Sequence, residues 1–204
     1  MGKGEATREA IVREALNQAV QIGLEGISIG VLANSLELSK SGLFAHFKSK
    51  EALQLAVLEE AIERFAQGVI LPSLAKPRGE PRVRALFERK LAWVVNTGFG
   101  TGCFFEALEQ EYDDRPGPIL DRLIQSQREW REVLTRAVAL AVQERQFAAN
   151  VDAAQVAFEM VGIGSAFQQA HKLLRDPGAK ERAERAFERL LESVRVRAKE
   201  PRRS

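Results

Sequence analysis

Cysteine is almost missing from this chain, and its single copy, Cys103, excludes an intramolecular disulfide framework and fits a reducing compartment. Histidine occurs twice, at His46 and His171, which leaves zinc sites and histidine-based triads without materials, so no metal and no cofactor is expected. Tyrosine occurs once, and β-branched residues rarely alternate with polar ones, which argues against a sheet protein. No apolar run approaches the roughly 20 residues that span a bilayer, and Met1 to Arg8 lacks the apolar stretch of a signal peptide. The expected location is therefore cytoplasmic, with no membrane partner. Charge of one sign is also lacking: 30 basic residues face 28 acidic ones, for a net charge of +2, so any basic surface must be local. With 45% hydrophobic and 28% charged residues, disorder is excluded as the whole story. The 204 residues make one large domain or two small ones at roughly 150 residues per domain.

What is present favours helix throughout. Ala, Leu, Glu, Arg and Gln are abundant, and apolar residues recur at helical spacing. Val12, Ala15, Leu16 and Ala19 share one face of a first helix that opens near Thr7 and closes at Gly23. Ser28 caps a short helix to about Ser35, Ser39 opens another ending near Phe47, and Ser49 caps a longer one ending near Leu71–Pro72. Helices follow from Pro81 to about Asn96, from Cys103 to Tyr112, and from about Gly117 to Arg145. Asp152 with Gln155 forms a capping box for the next, and Asp176-Pro177-Gly178 closes it. A last amphipathic helix carries Ala183, Phe187, Leu190, Leu191 and Val194 on one stripe. The five basic residues from Arg195 onward read as a frayed, solvated end.

The stretch Ser28 to Lys50, SIGVLANSLELSKSGLFAHFKSK, carries the chemistry. Two short helices joined by a tight turn cannot bury a core alone and need the first helix as a third wall. This is the spacing of a helix-turn-helix, whose second helix lies in a DNA major groove. Residues 38 to 50 hold Lys40, Lys48 and Lys50 and no acid, a local charge of +3 suited to phosphates. The second helix starts Ser39-Lys40-Ser41-Gly42, small residues that admit close approach to base edges. The plain alternative is a helical hairpin with a charged face.

The tokens SIGVLA, LSKSGLFAHF and KSKEAL, within residues 7 to 58, resemble the tetracycline-repressor (TetR) family of bacterial transcription regulators. The resemblance implies an all-α homodimer. Residues 1–50 would be a three-helix DNA-binding domain, linked through a helix at about 49–71, and residues 51–204 a helical domain for ligand binding and dimerisation. It implies that Ser28 caps its helix and touches phosphate, and that Ser39, Lys40, Ser41 and Gly42 face the groove. Leu43 would make an apolar base contact or pack inward. His46 and Lys50 would hold the backbone, and Lys48 is equally a phosphate contact or a solvated charge. Two residues depart from the pattern. Phe44 stands where the family often has a phosphate-binding Tyr, and Glu37 where it commonly has a turn Gly. A non-glycine residue in a left-handed turn costs about 1 kcal/mol. The segment CFFEALEQEYDDRPGP, residues 103–118, resembles one C-terminal subgroup.

Downstream, the expected effector residues are Trp93, Phe99, Cys103, Phe104, Phe105, Trp130, Phe158, Phe167 and His171, an aromatic group suited to an apolar small molecule. Taken singly, each aromatic is more readily an ordinary core residue; as a group they favour a pocket. Gly98, Gly100 and Gly102 do not match a dinucleotide fingerprint and read as a broken helix. Cys103, beside Phe104 and Phe105 with no adjacent cation, reads as buried and inert. The expected dimer interface is Val156, Met160, Ile163 and Phe167 with Phe187, Leu190, Leu191 and Val194, in a four-helix arrangement with a second copy, where Gly162, Gly164, Ser165 and Ala166 keep one helix thin. The function expected is a non-enzymatic, ligand-responsive repressor. It would be released from a near-palindromic double-stranded DNA operator by a small apolar molecule. A helical enzyme or small-molecule carrier with no DNA role is the alternative; it has no need for an acid-free basic helix.

Overall fold

The computed structural model describes residues 2–96 and 104–196. Its helices are α1 (Lys3–Ile22), α2 (Ile29–Ser35), α3 (Lys40–His46), α4 (Lys50–Phe65), α5 (Leu71–Leu74), α6 (Glu80–Val95), α7 (Phe104–Tyr112), α8 (Pro118–Gln143), α9 (Ala153–Gln168) and α10 (Ala179–Val194). Wide π turns at Ala66–Ile70 and Gln169–Leu173 extend α4 and α9. Among the described residues there is no strand, only an isolated bridge between Phe147 and Arg195. The fold is all-α. Phe99, Cys103, the three glycines around them and the basic end beyond Val196 lie outside the described residues; Arg195, expected to open a frayed end, is instead tied to Glu80 and bridged to Phe147.

The chain packs as two compact units, residues 1–67 with 96–127 and residues 68–95 with 128–204. The boundary expected at residue 50 therefore falls inside the first unit, which gathers α4, α7 and the start of α8 around the N-terminal helices.

In the first unit, serines start the short helices. The Oγ of Ser39 accepts the Gly42 N–H at 3.0 Å, and that of Ser49 accepts the Ala52 N–H at 3.0 Å. Ser28 does the same for Val31 at a longer 3.5 Å. Helix α1 starts at Lys3, earlier than its apolar periodicity suggests, because the Gly2 carbonyl accepts the N–H groups of Glu5 and Ala6. Ile11, Ala15, Leu16, Leu32, Ala33, Leu43, Leu53 and Val57 are buried together as the core under the two short helices. The turn between these helices survives the missing glycine. Glu37 adopts φ 55°, and the N–H groups of Glu37 and Leu38 close onto the carbonyls of Asn34 and Ala33. Glu37→Gly relieves that left-handed strain but loosens the unfolded chain; a net gain of about 0.5 kcal/mol in chemical denaturation is expected. A loss of stability would show that the Glu37 side chain contributes more than its backbone costs.

In the second unit, the helix beyond α4 does not end at Pro72. It runs to Leu74, because the wide turn at Ala66–Ile70 separates the proline ring from the carbonyl four residues back. Ser73, fully buried, bonds the Val69 carbonyl at 2.6 Å. Phe87 of α6 stacks on Phe187 of α10 with ring centroids 3.9 Å apart. Above this core, Glu80 accepts two bonds from Arg195, at 2.6 and 2.9 Å, and one from Arg84 at 2.8 Å. Arg84 in turn forks onto Glu188. The Arg195 guanidinium, with help from Arg84, pulls the Glu80 carboxyl down to about 2. A carboxyl lowered by folding stabilises above its unfolded value near 4.5, and that contribution is lost as pH falls through about 2. Urea midpoints should therefore drop between pH 5 and pH 2, and Glu80→Gln should flatten that drop. An unchanged slope in the variant would assign acid sensitivity to other carboxylates.

Candidate nucleic-acid interface

The orientation of α3 is set by what it buries. Leu43 is fully buried and Phe47 nearly so. Helical periodicity then turns Ser41, Phe44 and Ala45 outward, with Lys40 on the same flank as Phe44, and Lys48 is exposed in the bend after the helix. Of the two roles open to Leu43, the structure selects packing: a side chain with no exposed surface cannot touch a base. Gly42 is half-buried at the first turn and His46 half-buried at the last. Ser39 spends its oxygen on the cap and on Ser41 Oγ, 3.0 Å away. Lys40 lies across the start of α2, where a Cβ on Gly30 would sit 3.3 Å from its Cε and 3.6 Å from its Nζ. Its ammonium therefore accompanies the Ser28 end of α2. The Arg8 guanidinium covers the Phe47 ring at 4.9 Å and ties α1 to the end of α3.

Lys50 is engaged within the chain. Its Nζ donates to the Glu25 carbonyl at 2.6 Å and to the Glu25 carboxylate at 2.9 Å; to hold phosphate it must first leave Glu25. It belongs to a polar cluster that sequence reasoning missed. The Glu111 carboxylate on α7 accepts the backbone N–H groups of Leu24 at 2.9 Å and Glu25 at 2.6 Å. The amide of Gln54, buried on α4, donates to the Leu24 carbonyl and to Glu25, and meets the Tyr112 hydroxyl at 3.5 Å. Lys50, then Gln54, hold the Glu25 carboxyl below its ordinary value. Burial pushes the Tyr112 phenol up. Two α7 residues thus fasten the loop that follows α1. No spacing rule announces a glutamate that bonds backbone 86 and 87 residues away.

Two family models match the chain. "Bacterial regulatory proteins, tetR family" covers residues 11–57, the helix-turn-helix just described, and "Tetracyclin repressor-like, C-terminal domain" covers residues 79–187. The chain belongs to the TetR family. It is thereby a ligand-responsive DNA-binding transcriptional regulator, and members of this family are generally non-enzymatic. Solved TetR-family regulators share its fold. One from Cytophaga hutchinsonii superposes with a TM-score of 0.85 at 17% identity, over 97% of this chain and 99% of that one. One from Chloroflexus aurantiacus J-10-FL gives 0.81 at 25% identity, over 97% and 100%. AibR, solved in complex with isovaleryl coenzyme A and operator DNA, gives 0.67 at 19% identity, over 92% and 97%. A search of curated protein sequences finds no match.

In this TetR-family chain the expected effector residues divide. Phe104 and Phe105 are buried in the first unit, with Phe65 packed edge-on to Phe105 at 5.7 Å. Trp93, Trp130, Phe158, Phe167 and His171 belong to the second. Trp130 is buried and Phe167 stacks on His171 at 5.4 Å. Trp93 packs near Gly68, where a Cβ would meet its ring at 2.9 Å. Phe158 is 61% exposed and so does not line a buried pocket.

The expected dimer stripe is largely taken up within the chain. Val156, Met160, Phe167, Phe187, Leu191 and Val194 are buried inside the chain's own core, because that stripe is the apolar side of each helix and the chain claims it first. What α9 and α10 leave outward is an open groove of about 510 Å³ lined by Glu159, Gly162, Ile163, Ala166, Ala186, Arg189, Leu190 and Ser193. Of the expected residues only Ile163 and Leu190 line it, and Leu190 is itself mostly buried in the chain. Among the described residues no group of three His, Cys, Asp or Glu stands ready for a metal ion, and no helix is long and apolar enough to cross a membrane.

Proposed function

We propose that this regulator is a homodimeric repressor that releases a near-palindromic operator when a small, mostly apolar molecule binds its C-terminal helices. One observation carries the DNA half: α3 presents an outward face of Ser41, Phe44 and Ala45, with exposed Lys40 at its start and Lys48 just beyond its end, in a segment that holds three lysines and no acid. Lys40 and Lys48 hold phosphate, Ser41 faces base edges, and Ser28, Ser39, Gly42 and His46 support the close approach of the backbone. AibR, with an acyl-coenzyme A and an operator in one structure, supports coupling of a small effector to DNA within this fold. Trp130, the buried aromatic of α8, supports an apolar effector.

The thin face of α9 and the groove beside it support the dimer. Glu159 and Arg189 line the same groove, so a two-fold copy meets acid with base. Phe158, Leu173 and Leu174 are exposed apolar residues at the two ends of α9 and its extension, and a second copy would cover them.

Selection of bound duplexes from a random pool tests this reading. A symmetric site is expected, with half-sites about one helical turn or a multiple apart, and Lys48→Ala should lower the salt slope of binding by about one unit. Recovery of only single half-sites would remove the dimer from the proposal, and recovery of nothing would remove the DNA role assigned to α3. A regulating ligand must also prefer one state: whatever factor it takes from DNA affinity, DNA takes from ligand affinity.

A further inference from the structure

We propose that Phe44 reads the 5-methyl group of a thymine at one fixed position of each operator half-site, with Ala45 extending the apolar contact. The inference rests on the placement of α3 in the major groove and goes further, by assigning a base preference to a residue. Phe44 is 46% exposed on a seven-residue helix whose other large apolar side chain, Leu43, is buried, as is Phe47 just beyond its end. Lys40, one turn before Phe44 on α3, and Lys48, in the bend just beyond the helix, are exposed cations, so the uncovered ring lies in a segment that also carries groups suited to phosphate. An uncovered aromatic ring there has no work in the core.

Phenylalanine offers neither donor nor acceptor, so it cannot bond a phosphate and cannot tell base edges apart by hydrogen bonding. In the major groove the thymine methyl is the apolar feature by which one base differs from the others. Ala45, exposed beside Phe44, is small enough to let the ring reach a base edge. Ser41, one turn before Ala45, supplies the polar contact on the same face.

The test uses the full chain and the duplex recovered by selection. Each thymine of one half-site, then its symmetry mate, is replaced by deoxyuridine, which removes only the methyl, and affinity is read by fluorescence anisotropy. One position should lose about three- to fivefold per half-site, the scale of one buried methyl group. In Phe44→Ala that same replacement should cost nothing, while Phe44→Leu should keep part of the effect. Thermal unfolding of the variants checks that the core around Leu43 is intact; if Phe44→Ala does not fold, the uridine scan on the unaltered chain with Phe44→Leu still decides. A selected operator on which every uridine is tolerated overturns the assignment and leaves the DNA-binding reading standing. Phe44→Ala that weakens thymine and uridine duplexes alike would place the ring on sugar or between base steps and overturns it too. Failure to select any duplex strikes the underlying reading instead.

Discussion

Ala166→Arg should turn the protein into a monomer and weaken operator binding by about 100-fold or more. Ala166 is exposed on α9 and lines the groove toward α10, so the substitution leaves the chain's own core alone. In a two-fold pairing across this thin face, each new guanidinium is desolvated against a copy of itself, and burying unpaired like charges is strongly unfavourable. The loss in DNA affinity follows from valency. Two linked reading helices gain about 10²- to 10⁴-fold over one, and a monomer forfeits that gain. Light scattering gives the mass, anisotropy the affinity, and Ala166→Ser is the tolerated control. Phe167→Glu or Phe187→Glu is not an equivalent experiment: both rings are buried within the chain, so a carboxylate there unfolds the protein rather than dividing it. A dimer of unchanged mass in Ala166→Arg would move the interface off α9.

These residues show where sequence ceases to determine a site. The helices were legible because each carries a local signal: serine caps at Ser28, Ser39 and Ser49, an aspartate cap at Asp152, and apolar periodicity. Half of a capping box formed, since Asp152 accepts the N–H groups of Ala154 and Gln155, while the Gln155 side chain turns forward to Glu159. The helix-turn-helix was legible, because its two short helices and tight turn need the first helix as a third wall. The roles of single residues were not. An apolar stripe on α9 says that something covers it, and periodicity cannot say whether that is α10 of the same chain or a second copy. Likewise Lys50 reads as a phosphate ligand by position, and only the fold brings Glu25 to it at 2.9 Å. Pro72 misleads for the same reason: its local signal is a helix stop, and a wide turn absorbs it.

Glu111→Ala should both soften the DNA-binding unit and blunt the response of DNA affinity to effector. The Glu111 carboxylate takes the N–H groups of Leu24 and Glu25 at the end of α1, where the helix has stopped at Gly23 with φ 81°. Bonds to a charged acceptor are each worth about 1.5–3 kcal/mol, and Leu24, which is buried, would be left with an unsatisfied donor. A loss of about 2–3 kcal/mol is expected, or roughly 5–10 °C in Tm for a chain of this size. The functional effect has a separate cause. Helix α7 touches the reading head through this carboxylate and through the Tyr112 hydroxyl near Gln54, and Gln54 and Lys50 share Glu25. A shift of α7 is thus felt at the start of α4 and at the loop that supports α2. Glu111→Gln keeps one acceptor oxygen and should fall between wild type and alanine on both measures. Tyr112→Phe removes only the weaker contact and should alter coupling more than stability. The readout is the ratio of DNA affinities with and without effector, taken beside the unfolding midpoint. If Glu111→Ala loses stability but leaves that ratio untouched, the carboxylate is a brace for α1 and coupling runs through α4 alone.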